Sequence, residues 1–117
     1  MIKILINHKF KSMNEYVKEC RTNYYIANET KQQETMLSAL AFTKIPPIKS
    51  FPIELIFYWH IKTKTSDLDG RLPKNIIDGL VRSKRIPDDN VKYIQKITHI
   101  YIGDNKDYVE VEIKEMK

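Results

Sequence analysis

Four aspartates fall where they could hold a metal ion. Asp67 and Asp69 flank Leu68 directly after the clearest strand pattern in the chain, and Asp88 and Asp89 lie just before the next one. In extended backbone, a period of two puts Asp67 and Asp69 on the same side. If the strands before and after are neighbours, both acidic segments are expected at one edge of the sheet. Three carboxylates converging there would bind a hard divalent cation. Mg²⁺ takes oxygen ligands and keeps positions for water and substrate phosphate. Such an ion activates water and stabilises the charge that develops in phosphodiester hydrolysis. Lys62, Lys64, Arg71, Lys74, Arg82, Lys84 and Arg85 surround these acids in sequence. A metal buffer has no use for so many cations, whereas a site that accepts a nucleic-acid backbone does. Ser66-Asp67-Leu68-Asp69-Gly70 is equally ordinary turn and helix-cap chemistry, and Asp88-Asp89-Asn90 an ordinary surface turn. From these residues alone both readings stand.

The remaining chemistry-bearing residues are less pointed. His8, His60 and His99 are scattered, without partners at ligand or nucleophile spacing, and read as strand or surface residues. Cys20, the only cysteine, cannot close an internal disulfide and reads as a small core residue of the first helix. The tyrosines read as packing, although Tyr24 and Tyr25 beside Arg21 are placed to touch DNA. There is no Gly-rich phosphate loop and no Ser/His/Asp arrangement.

The chain has 117 residues, 42% of them apolar and 30% charged, with 3 Gly and 5 Pro. That composition fits a single globular domain and argues against disorder, repeats or collagen-like structure. The net charge of +5 is uneven. Residues 1–49 and 62–85 are each net +4, and residues 86–117 are net −2. Two basic segments suit a polyanionic partner, or a solvated basic surface. The longest near-apolar stretch, Ile53 to Trp59, is far short of a membrane span. The first ten residues lack the apolar run of a secretory signal, so a cytoplasmic, reduced protein is expected.

The elements that must position the acids follow from periodicity. Ile2, Ile4 and Ile6 alternate with Lys3, Leu5 and Asn7 in a short first strand. From about Asn14 to Thr43 there is no Gly or Pro, which predicts one long helix or two. Ser12 or Asn14 supplies a cap, and the polar stretch Asn28–Gln33 is the expected site of an exposed or broken turn. Phe51 to Ile61 is the strongest strand, apolar on one face and half so on the other, as suits an interior strand. Pro73 to Lys84 reads as a helix with Ile76, Ile77, Leu80 and Val81 on its apolar arc and Lys74, Asp78 and Arg82 on the polar side. Val91 to Ile102 and Tyr108 to Glu115 are strands, and Gly103 to Asp107 between them has the chemistry of a hairpin turn. The expectation is an α+β domain of order β-α-β-α-β-β, a mixed sheet with helices packed on it.

Asp67-Leu68-Asp69-Gly70, Lys74, Asp78-Gly79-Leu80 and Asp88-Asp89 together resemble the RusA family of Holliday junction resolvases and its phage and prophage relatives. The pattern in that family is Asp-x-Asp-Asn, a Lys shortly after, Asp-x-Leu one helical turn beyond it, and an Asp-Asp pair before the next strand. Met13-Asn14-Glu15-Tyr16, with Arg21 and Asn23, is similar to the opening of phage-type members. The chain departs from the pattern at Gly70, where Asn is expected, and by one extra residue between Asp69 and Lys74. The resemblance implies a homodimeric endonuclease that uses Mg²⁺, or Mn²⁺ in its place, to cut four-way DNA junctions by paired symmetrical nicks. It makes Asp67, Asp69 and Asp89 the metal-binding catalytic carboxylates and Lys74 the cation near the scissile phosphate. Asp78 is a weaker candidate that pairs with Lys74 at i, i+4, and Asp88 lies outside the ligand set. The basic residues above, with Asn14 and Arg21, are then the expected DNA contacts. A C2 dimer would present two equivalent sites to a substrate with approximate twofold symmetry. The alternative is a non-catalytic junction-binding module on the same fold.

Overall fold

The computed structural model describes residues 2–62 and 71–116. Its elements are β1 (Ile2–Ile6), α1 (Met13–Thr22), α2 (Tyr24–Phe42), β2 (Ile53–His60), α3 (Lys74–Arg82), β3 (Ile94–Ile102) and β4 (Tyr108–Glu115). The sheet order is β1-β4-β2-β3. β2 is parallel to β3 and antiparallel to β4, and β4 is antiparallel to β1. The fold is thus α+β, three helices on a four-stranded mixed sheet. Among the described residues, no helix is long and apolar enough to cross a membrane.

β2 is interior, as its two-faced pattern requires. Ile53, Leu55, Phe57 and Trp59 are buried under the helices with Val109, Val111 and Ile113 of β4. Each such side chain contributes about 1.5–3 kcal/mol by leaving water. Phe57, Trp59 and His99 stack on one another across β2 and β3. Trp59 Nε1 donates to His99 Nδ1 at 2.8 Å. Indole is only a donor, so that nitrogen of His99 must be an acceptor. Burial pushes the His99 pKa down and keeps the acceptor available.

Three expectations change. First, Gly103–Asp107 is no hairpin. β4 pairs with the other side of β2, so this segment steps over the end of β2 to reach its place. The reason is burial. Val109, Val111 and Ile113 are at most 3% exposed, as suits a strand at the centre of the sheet, whereas β3 carries Gln95 and Lys96 exposed at the sheet edge. The crossing is pinned by His60, whose Nδ1 lies 2.7 Å from Asp104 Oδ2 and whose Nε2 lies 2.7 Å from Glu110 Oε1. Tyr108 stacks on the His60 ring.

Second, the break between helices falls at Asn23, and Asn28–Gln33 lies inside α2. Asn23 is extended, ends α1 with its N–H on the Glu19 carbonyl, and starts α2 with its side chain accepting from Tyr25 N and Ile26 N. One short polar side chain ends one helix and caps the next. Third, β3 begins at Ile94 and not Val91. Asn90 turns the backbone first, accepting from Lys92 N through its side chain and from Tyr93 N and Ile94 N through its carbonyl.

α2 and α3 run in the same direction, from the contact of Glu34 with Asn75 through Gly79 to that of Phe42 with Arg85. A Cβ on Gly79 would stand 2.5 Å from Ser38 Cβ, 2.8 Å from Ala39 N and 2.9 Å from Thr35 O. Two of these are backbone atoms that cannot rotate away. Ala gains about 1 kcal/mol over Gly in helix propensity, but overpacking costs about 1–3 kcal/mol or more. Gly79→Ala is therefore expected to destabilise the fold by about 1–2 kcal/mol. A urea midpoint at or above wild type would show that the helices can separate without cost.

Candidate active site

Two grooves flank α3 where it packs on α2. The first is a cavity of about 390 Å³ lined by Thr35, Asp78, Val81, Arg82, Asp88 and Asp89. Asp78 and Arg82 reach it from successive turns of α3, and Asp89 from the loop that precedes β3. The second, of about 220 Å³, is lined by Met13, Tyr16, Lys31, Leu72, Lys74 and Asn75. Lys74 and Asp78 divide the two, with Nζ 3.4 Å from Oδ1. This is the i, i+4 pair expected from the sequence. The lysine is 60% exposed, so the pair is a weak tie that leaves the ammonium accessible.

Of the two acidic segments, Asp88 and Asp89 lie within the described residues. Parallel register pairs Ile53 with Ile94, so Asp88 and Asp89 lie toward the starting end of β2. Neighbouring parallel strands with a helix between them bring the second strand back to the start of the first. Among the described residues, Asp78 and Asp88 share a cavity with Asp89. Asp67, Asp69, Gly70 and Lys64 lie outside the described residues. Among the described residues, no group of three or more His, Cys, Asp or Glu stands together as a metal site.

Asp88 and Asp89 differ in what occupies them. Asp88 Oδ1 accepts from Asp89 N and Oδ2 from Asn90 Nδ2, which makes Asp88 the residue that shapes the turn. The exposed Asp89 carboxylate has no hydrogen bond or ion pair among the described residues.

The cations divide similarly. Arg82 and Lys84 are exposed on the rim below α3, Lys62 at the end of β2, and Asn14 and Arg21 on α1. Arg85 is committed to structure. Its Nε donates to the Phe42 and Ile45 carbonyls at 3.0 and 2.6 Å, and its other nitrogens to Ser83 and Thr43 carbonyls. It satisfies the open C-terminal end of α2, where carbonyls otherwise lack partners. Arg71 joins Ser12 in an isolated antiparallel bridge. Its buried Nε has no partner among the described residues.

The first turn of α3 is held by a network that spacing does not reveal. Glu34, 4% exposed, accepts from Asn75 Nδ2 at 2.8 Å and from Lys11 N at 3.1 Å, and its Oε2 lies 3.0 Å from His8 Nε2. One carboxylate thus ties the segment after β1 and the start of α3 to α2. α1 is set beside it by a capping box, with Ser12 Oγ accepting from Glu15 N and Glu15 Oε1 from Ser12 N. Burial works to raise the Glu15 carboxyl pKa. The Ser12 hydrogen bonds and the charges of Lys9 and Arg71 outweigh it and leave the group below its usual range.

Comparison with models of known protein families and with curated proteins finds no match for this chain.

Removing Glu34 strands the buried Asn75 amide and unpairs the part-buried Lys11 N and His8 ring, and an unsatisfied buried polar group costs about 1–3 kcal/mol. Glu34→Ala should lower stability by about that amount. Glu34→Gln, which keeps one acceptor oxygen, should lose less. Chemical denaturation of the three proteins checks the order, and equal midpoints would mean that the network contributes nothing.

Proposed function

We propose that this chain is a metal-dependent endodeoxyribonuclease acting on branched, four-way DNA as a homodimer. The observation that carries the reading is the cavity where Asp78 and Asp89 stand with Arg82, one helical turn from the exposed Lys74. Carboxylates beside unneutralised cations are what a phosphodiester site needs. The acids take a cation, and the basic groups take the phosphates on either side.

The donor chemistry suits Mg²⁺, or Mn²⁺ in its place. All the acids are hard oxygen donors, and Asp89 is exposed and not hydrogen-bonded to described residues. A complete ligand set in this reading draws on Asp67 and Asp69 with Asp89. When bound, the ion would supply activation of water and neutralisation of the developing charge. The protein groups do the positioning. Asp88 fixes the turn that presents Asp89. Asp78 holds Lys74 near the phosphate, where its ammonium favours the more negative transition state. Arg82 offers a planar fork to a neighbouring phosphate. Symmetrical nicking of two opposed strands calls for two equivalent sites, which a C2 dimer supplies.

Asp89→Asn removes one charge and keeps the shape. In Mg²⁺ it should reduce junction cleavage to the metal-free background while leaving junction binding at wild-type strength or tighter, because the phosphates then meet less repulsion. Gel-shift and cleavage assays on the same labelled junction separate the two effects. Parallel loss of binding and cleavage, or full cleavage by the variant, would count against Asp89 as a ligand.

A further inference from the structure

Apart from Lys74, the second groove is not used by the chemistry just described. It is lined by Tyr16, Met13 and Leu72 together with Lys31, Lys74 and Asn75. Among the described residues, no carboxylate lines it. The first turn of α3 opens beside it with no side-chain cap on its N–H groups among the described residues, so the helix dipole adds to the positive rim. Lys31 on α2 and Lys74 on α3 are held at fixed spacing by the Glu34–Asn75 bond between their helices. At about 220 Å³ it falls below the roughly 300–1,000 Å³ of sites that enclose a drug-sized ligand, so its occupant is about one ring system in size.

We propose that this groove takes up a single unpaired nucleobase of a DNA strand, stacked against Tyr16, with the flanking phosphates on Lys31 and Lys74. The charge pattern selects the occupant. An apolar peptide side chain would fill the apolar part of the groove but bring no anion to Lys31 or to the exposed Lys74 ammonium, which Asp78 ties only weakly. A nucleotide brings a flat π-face and an anion on each side of it, which matches both the apolar lining and the rim. Lys74 lines the second groove and its partner Asp78 lines the first, so the base in the second belongs to the nucleotide beside the phosphate held in the first. The site therefore selects DNA with an unstacked residue at the point of cleavage, as at a branch or a bulge, over continuous duplex. This placement rests on the nuclease reading; the base-binding groove does not.

The test is binding without turnover, in EDTA, by fluorescence anisotropy. The probes are a labelled duplex with one bulged thymidine and the same duplex with an abasic residue at the bulge. Stacking of one base is worth about 5- to 150-fold in affinity, so wild type should prefer the thymidine bulge by about tenfold or more. Tyr16→Ala should abolish the preference, and Tyr16→Phe, which keeps the ring, should retain it. Lys31→Ala should weaken both probes alike and reduce the salt dependence of each. Equal affinity of wild type for the two probes overturns the proposal, as does a preference that survives in Tyr16→Ala. Because no cleavage is measured, base preference in a protein that never cuts DNA would leave the groove standing and remove the nuclease reading.

Discussion

The close approach of α2 and α3 at Gly79 sets the geometry of everything the chain presents to a partner. With no side chain at that position, the two backbones come near enough for Thr35 to share a cavity with Asp78. The same approach lets Glu34 reach Asn75 one turn earlier. Both grooves lie along this seam, and the Lys74–Asp78 pair divides them. A wider helix spacing would separate Lys31 from Lys74 and remove the Thr35 side of the acidic cavity. The seam is fixed at its ends by polar groups and in its middle by packing. Glu34 holds the start of α3, and the Arg85 guanidinium holds the carbonyl end of α2 against the segment that leads to Asp89.

The sheet contributes a second constraint. β4 must be buried on both faces of its pairing, so it takes the place between β1 and β2 and leaves β3 at the edge. The segment 103–107 then crosses the end of β2, and His60 with Asp104 and Glu110 anchors the crossing. Lys62 N donates to Asp107 in the same place. The end of β2 is thus held by carboxylates on the crossing segment and on β4.

Elements with strong local patterns were readable from the residues. The period of two gave β4 its full extent, and the apolar arc of Ile76, Ile77 and Leu80 identified α3, because burial on one face is written in nearest-neighbour spacing. What depended on distant partners was not readable. The Gly103–Asp107 segment has hairpin chemistry in isolation, and only competition for the centre of the sheet decides otherwise. Glu34 looks like one more polar residue of a long helix until Asn75, Lys11 and His8 arrive from elsewhere in the chain. Arg85 looks like part of a basic surface, yet its guanidinium is occupied by carbonyls. His60 looked alone because its partners lie beyond residue 100. At the candidate site, the i, i+4 pair and the separate roles of Asp88 and Asp89 follow from local spacing and turn chemistry. The joining of Asp78 with Asp89 comes from topology.

The central claim is that the acids and cations along this seam cut branched DNA with a divalent metal. It is tested most directly by incubating the protein with a labelled synthetic four-way junction in Mg²⁺, with EDTA and a linear duplex of the same sequence as controls. The account predicts paired nicks in opposed strands of the junction, absent in EDTA and absent on the duplex. Tight junction binding with no cleavage in Mg²⁺ or Mn²⁺ would contradict it and leave a DNA-binding module in its place.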